Sequence, residues 1–201
     1  MKKLLCIVFL GSAIGLAAQP KKDPKMAATT SPGYYVVAKG DTVKGEVRNN
    51  PEDPTEFYTT FMFKPAKGGK LMPVSANKAK AYGFDDRHFV QIKDNGADIY
   101  VEVLARGRLN FYEFRYNGKI DGLPAVESAY FVQDNMAEGE DIKLRELKKI
   151  NNKFYKKELK PYMKDQPVIW ADMDKFTFNK EAVTNSIKEF NKFYVITNSG
   201  E

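Results

Sequence analysis

Two periodicities divide this chain. Between about residues 33 and 133, apolar and β-branched side chains recur at alternate positions, in short runs separated by Gly, Pro, Asn and Asp. Residues 34–38 and 42–48 flank Lys39-Gly40-Asp41 and predict a hairpin. The aromatic run 57–64 lies between Pro54 and Pro65 and predicts another strand, followed by a Gly68-Gly69 loop. Shorter strands are expected over 80–84 and 88–93, and Asp94-Asn95-Gly96 is a turn leading into 98–105. There Ile99, Val101 and Val103 alternate with Tyr100, Glu102 and Leu104, one wholly apolar row and one mixed, as in a sheet buried on one side. In 109–116 the alternation slips between Phe111 and Tyr112, which predicts a bulge or a strand covered on both faces, and Asn117-Gly118 is expected to end it. Residues 128–133 form the last clear strand, while 142–147 fit strand or helix.

The C-terminal quarter is helical in period. Val183, Ile187, Phe190 and Tyr194 recur every three or four residues; Asn179 precedes them as an N-cap, with Phe178 placed to staple onto Val183. Tyr155, Leu159 and Tyr162 or Met163 mark an earlier helix from about Asn152, kinked or ended by Pro161. A short helix is expected to open at Pro167 and carry Ile169, Trp170 and Met173. The expectation is an α+β fold: an antiparallel β-sheet or barrel-like domain of about seven strands followed by two or three C-terminal helices.

The N-terminus has a different character. Lys2 and Lys3 precede an apolar run over 4–14 that is too short to span a membrane and closes on small residues, the pattern of a cleavable export signal. Cleavage is expected after Ala18, with Ala17 as the alternative. The expected organisation is a signal peptide over 1–18, a Lys- and Pro-rich tether over 19–32, a β domain over 33–148 and a helical region over 149–201 packed on it. The mature chain would be exported, to periplasm, outer surface or medium, with no transmembrane segment. Cys6, the only cysteine, lies within the leader, so neither a disulfide nor a lipid-bearing cysteine is available to the mature chain.

Charge and motifs narrow the chemistry. Two of the formal +6 charges belong to Lys2 and Lys3, leaving +4, modest for 201 residues less an 18-residue leader, so no nucleic-acid partner is expected. With His88 as the only histidine, a Ser-His-Asp, Cys-His or multi-histidine metal site would have to be built around it, beside Asp85 and Asp86. Asp94-Asn95-Gly96-x-Asp98 lacks the ligands of a calcium loop at its third and twelfth positions, and Glu138-Gly139-Glu140-Asp141 fits a solvated acidic loop. No phosphate-binding Gly-rich loop or Gly-x-Ser-x-Gly elbow occurs. No catalytic residue, cofactor or metal is assigned. Tyr100, Tyr112, Phe114, Tyr116, Tyr130 and Phe131 could line a groove on the sheet, although such spacing favours packing. The strongest charge feature is 141–164, where nine Lys or Arg face three acids. Lys149, Lys153, Lys156, Lys157 and Lys160 are its candidate interaction surface.

Gly33-Tyr34-Tyr35-Val36-Val37 followed by Lys39-Gly40-Asp41-Thr42-Val43-Lys44-Gly45 resembles the opening hairpin of a group of small exported proteins common in Bacteroidota. Val101-Glu102-Val103-Leu104, Gly107, Phe111-Tyr112 and Tyr130-Phe131-Val132 are similar to its later part, so the likeness spans roughly residues 33–194. The resemblance implies export and a β-then-helix order and carries over no catalytic residue. Together these features lead to the expectation of an exported, non-catalytic binding or interaction module of the cell envelope. Its partner would be an envelope protein, a glycan or an anionic surface. The rival expectation is a hydrolase of cell-envelope or extracellular polymers working through carboxylates near His88; a third is a subunit of a larger envelope assembly, marked by an exposed apolar patch.

Overall fold

The computed structural model describes residues 28–198, so the leader and the tether up to residue 27 lie outside the described residues. The fold is α+β: ten antiparallel strands in one open sheet, then C-terminal helices. The strands are β1 (Thr29–Val37), β2 (Thr42–Asn49), β3 (Thr60–Pro65), β4 (Met72–Ser75), β5 (Ala79–Phe84), β6 (Arg87–Asp94), β7 (Ala97–Ala105), β8 (Leu109–Ile120), β9 (Leu123–Asp134) and β10 (Lys148–Ile150). The helices are α1 (Tyr155–Leu159), α2 (Pro167–Met173) and α3 (Lys180–Asn198).

Most expected elements are present with shifted ends. β1 begins at Thr29, four residues ahead of Gly33, because Thr29 to Pro32 pair with Asn49 to Glu46 of β2. Pairing with β5 starts only at Gly33, so Pro32 sits where β1 has a single neighbour and its missing N–H is tolerated. β4 carries Pro73 and lies at the sheet edge, which hid it from a pattern-based reading. The aromatic run after Thr55 divides into a 3₁₀ turn, Glu56–Tyr58, and β3. Asn117-Gly118 does not end β8. Gly118 lies mid-strand under the Glu127 carboxylate, which accepts from the Lys119 N–H at 2.9 Å; the hairpin turns instead at Asp121-Gly122, both at positive φ. The slip at Phe111-Tyr112 has both anticipated causes: the β7–β8 register shifts between Val103 and Ala105, and the two rings enter different cores.

The strand order β10-β9-β8-β7-β6-β5-β1-β2-β3-β4 sets a geometric demand. Four strand gaps of about 4.8 Å separate β4 from β5 in a flat sheet. The chain from Ser75 to Ala79 spans at most about 14 Å. The sheet therefore rolls, bringing Phe61 of β3 into a stack with Tyr82 of β5 at 3.9 Å and the Tyr100 hydroxyl of β7 to the Ser75 carbonyl at 3.1 Å. The inside of the roll is an aromatic core of Phe57, Tyr58, Phe61, Phe63, Tyr82, Phe84, Phe89 and Tyr100.

The sheet forks at β7 and β8, which pair only from Glu102 to Ala105. Tyr58 wedges into the fork, its ring 5.9 Å from that of Phe114, and Thr55 accepts a hydrogen bond from Asn117 at 3.0 Å. Beyond the fork the helices cover one face of β8–β10. Leu109, Phe111, Tyr130, Val132 and Ile150 meet Tyr155, Leu159, Met163, Met173, Val183, Ile187 and Phe190. The opposite face carries Ile99, Val101, Tyr112, Ala129 and Phe131.

Asn179 caps α3 as expected, accepting from the Ala182 N–H at 2.9 Å. Deeper in α3, the buried Asn191 amide accepts from the Leu109 N–H and donates to the Leu109 carbonyl, both at 2.8 Å. A helix side chain thus satisfies the Leu109 backbone groups just past the end of β7, where no β7 residue pairs with them. Asn191→Ala should cost about 2–4 kcal/mol, because two buried backbone groups lose their partners. Urea denaturation followed by circular dichroism measures that loss.

Candidate functional site

Buried ionisable groups lie at two places: Asp134, fully buried, pairs with Arg108 at 3.1 Å beside the β7–β8 turn, and a larger network lies where the sheet forks. Glu102 and Glu113 face each other across the β7–β8 rung, an arrangement that repels unless each is compensated. Arg87 grips Glu102 with two hydrogen bonds of 2.8 Å, and the Tyr58 hydroxyl donates a third at 2.8 Å. The Arg87 guanidinium also lies 4.8–5.5 Å from the ring centres of Phe57, Phe84 and Phe89. Glu113, only 2% exposed, pairs with Arg115 at 3.2 Å and with Lys180 of α3 at 3.5 Å, and accepts from Ser128 and Tyr130. Burial pushes the Glu102 carboxyl up, but the hydrogen bonds and charge of Arg87 outweigh it and hold the group below its ordinary range. Burial and the Glu102 charge push the Tyr58 phenol far up, so it remains a donor. These charges are engaged with one another and hold the two halves of the sheet together.

The residues singled out around His88 do not converge. Asp85, Asp86 and His88 are all exposed at the β5–β6 turn. Asp85 accepts from Ser31 at 3.1 Å, while His88 Nδ1 on β6 lies 3.1 Å from the hydroxyl of Tyr34, which reaches across β5 from β1. At the β6–β7 turn, Asn95 and Gly96 both have positive φ, Asp94 pairs with Lys149 and Asp98 with Lys93, as befits a hairpin turn. Glu138 pairs with Arg145, and Asp141 with Lys164. No group of three or more His, Cys, Asp or Glu able to hold a metal occurs among the described residues. The six aromatics do not form one groove: Tyr100 is inside the roll, Tyr130 under the helices, and Tyr112 and Phe131 on the opposite face.

The five candidate lysines are divided by the sheet. Lys149 belongs to β10, not to the helical region, and alternation sends it to the face away from the helices, where it pairs with Asp94 at 3.4 Å and lies over the Phe131 ring. Lys160 is exposed on the 3₁₀ turn Lys160–Met163 that follows α1. Lys153, Lys156 and Lys157 do gather, and they are joined by Lys148, the neighbour of Lys149 that faces the helices. At their centre stands Phe154, 52% exposed. Tyr155 and Leu159 use the buried side of this segment, so the residue one position before Tyr155 is turned outward. That offset from the apolar stripe was the available sequence signal for Phe154.

Two shallow depressions share Phe154 and Lys157. One, of about 390 Å³, is lined by Asn152, Lys153, Tyr155, Lys156, Thr177 and Phe178 as well. The other, of about 330 Å³, adds Lys148 and Glu158. Lys156 is anchored to Asp174 through its carboxylate at 3.4 Å and its carbonyl at 2.5 Å, and the Lys153 ammonium lies 5.7 Å from the Phe154 ring centre. Lys148 and Lys157 make no ion pair among the described residues. A third depression, of about 440 Å³ beside β2 and β3, contains Glu46 and Lys64, which pair with each other at 3.8 Å. Of these three depressions, the two at Phe154 have cationic capacity to spare.

The fork makes a prediction about acid. Because the folded state holds Glu102 below its ordinary range, its stabilisation is complete above the unfolded value of about 4.3 and lost as pH falls through the lower, folded value. Glu102→Gln should flatten that part of the acid dependence. At neutral pH it should cost about 3 kcal/mol, since Arg87 keeps its half-buried charge without a counter-ion. Urea denaturation of both proteins at pH 7 and pH 3.5 checks both expectations.

No family model, no curated protein sequence and no solved structure matches this chain.

Proposed function

We propose that the protein is an exported, non-catalytic binding module of the bacterial cell envelope that engages an anionic partner through the lysine-ringed Phe154 surface. The observation that carries this reading is the pairing of an exposed aromatic ring with flanking cations, two of which, Lys148 and Lys157, make no ion pair among the described residues. Such a surface attracts anions over a distance and holds them on contact. The leader-like N-terminus supports export. No helix among the described residues is long and apolar enough to cross a membrane.

Reversing Lys148, Lys153 and Lys157 to Glu should leave thermal stability nearly unchanged, since none of the three fills a core. Retention of the purified chain on its own cell-envelope extract should fall at least about tenfold at low salt, and added salt should weaken the wild type in the same direction. Unchanged retention by the reversed protein would remove this reading.

A second reading, a subunit of an envelope assembly, is supported by the β8–β9 hairpin tip, where Ile120, Leu123 and Val126 are 56%, 71% and 44% exposed. Ile120→Ser with Leu123→Ser should then abolish co-sedimentation with a large complex from native extract while leaving the melting temperature unchanged. Persistence of the complex would exclude the tip as its contact.

A further inference from the structure

Resting on the basic-surface reading above, we infer that the ligand of the Phe154 surface is an acidic polysaccharide, a chain of sugars bearing recurrent carboxylates, laid across both depressions with one ring stacked on Phe154. The two depressions lie side by side and share Phe154 and Lys157, so an occupant that fills both is elongated and passes over the phenyl ring. Lys153 and the Asp174-paired Lys156 line the first depression; Lys148 lines the second beside Glu158, whose carboxylate accepts from the Asn151 N–H. Positive charge without an ion pair among the described residues thus stands on both sides of the ring. A sugar presents an apolar C–H face to an aromatic ring while its hydroxyls point sideways; the exposed side chains of Asn152 and Thr177 line the same hollow and can meet them.

The kind of cation supports the same occupant. The cations around the two depressions are all lysines, point charges on flexible stems rather than the planar fork of arginine. Such charges tolerate the variable position of carboxylates along a flexible chain and give little preference for one rigid anion. A bilayer surface is a poorer fit, because interfacial binding buries a continuous apolar face, whereas here one exposed ring stands between two hollows. Single-stranded nucleic acid is also a poorer fit, since its binding platforms stack successive bases on several exposed aromatics, whereas of the three rings lining the first hollow Tyr155 is buried and Phe178 packs against Tyr130 and Tyr155.

The test presents the purified chain with four probes at low and moderate salt: polygalacturonate, neutral dextran, phosphatidylglycerol vesicles and a single-stranded oligonucleotide. Affinity electrophoresis serves for the polysaccharides, sedimentation for the vesicles and fluorescence anisotropy for the oligonucleotide. The expected result is salt-sensitive binding to polygalacturonate and none to dextran. Phe154→Ala should weaken that binding about tenfold through loss of the stacked ring. The same variant should keep wild-type circular dichroism, because the ring is half exposed. Polygalacturonate binding that is indifferent to Phe154→Ala overturns the inference. So does tighter binding to vesicles or oligonucleotide, an outcome that leaves the basic-surface reading standing if Lys148, Lys153 and Lys157 reversal abolishes it. Failure of all three anionic probes overturns the inference and, together with intact envelope retention by the reversed protein, the reading beneath it.

Discussion

Three residues, Ala76 to Lys78, connect the outermost strand β4 to β5, a strand that lies beyond β3, β2 and β1 in the sheet. A chain that short cannot cross a flat sheet of that width, so the strands must curl until the two ends approach. The aromatic residues make the curl favourable as well as possible. Phe61, Tyr82 and Phe89 stack through the interior at 3.9 and 4.5 Å, and burying such rings contributes more than the ordering of their side chains costs. The hydroxyl groups carried inward by tyrosine are accommodated by backbone acceptors, as where Tyr82 donates to the Phe57 carbonyl at 2.5 Å.

A sheet rolled at one end and covered by helices at the other has a seam, and the fork between β7 and β8 is that seam. Charged residues gather there because the backbone pairing is interrupted, and the aromatic core crosses it only through Tyr58 and the partly buried Phe114. Glu102 and Glu113, opposed on one rung, would repel if left alone. Arg87 reaches Glu102 from the rolled side, and Lys180, the first residue of α3, reaches Glu113 from the helical side. The network thus connects the roll to the helices, and Asn191 further along α3 repeats the connection through the backbone of Leu109. The cations around Phe154, built on β10 and the segment leading into α1, stand outside this network.

That surface rests on well-packed neighbours. Tyr155 and Leu159 are buried immediately beside the exposed Phe154, and the Tyr155 hydroxyl donates to the Phe176 carbonyl at 2.5 Å, holding the segment against the loop before α3. Ile150 is buried one residue pair away from Lys148. The backbone that carries the Phe154 ring and the four lysine stems is thereby held in place, while the ammonium groups keep the freedom of their stems.

Local chemistry determined a good part of the fold. Gly40 and Gly96 at positive φ make their turns, Asn179 caps α3, Pro167 opens α2, and strand alternation over 97–105 distinguishes the two faces of β7, because each of these depends on a few consecutive residues. Tertiary structure decided whatever depended on a partner distant in sequence. Gly118 has the chemistry of a turn, yet it lies mid-strand because Glu127 of the opposite strand needs the space that a side chain would fill. Neighbouring Lys148 and Lys149 look equivalent as sequence, but strand geometry sends them to opposite sides of β10, so the basic run supplies two surfaces rather than one. The roll of the sheet and the gathering of Lys148, Lys153, Lys156 and Lys157 around Phe154 arise from strand order and helix docking, and these are set by long-range packing that no run of adjacent residues contains.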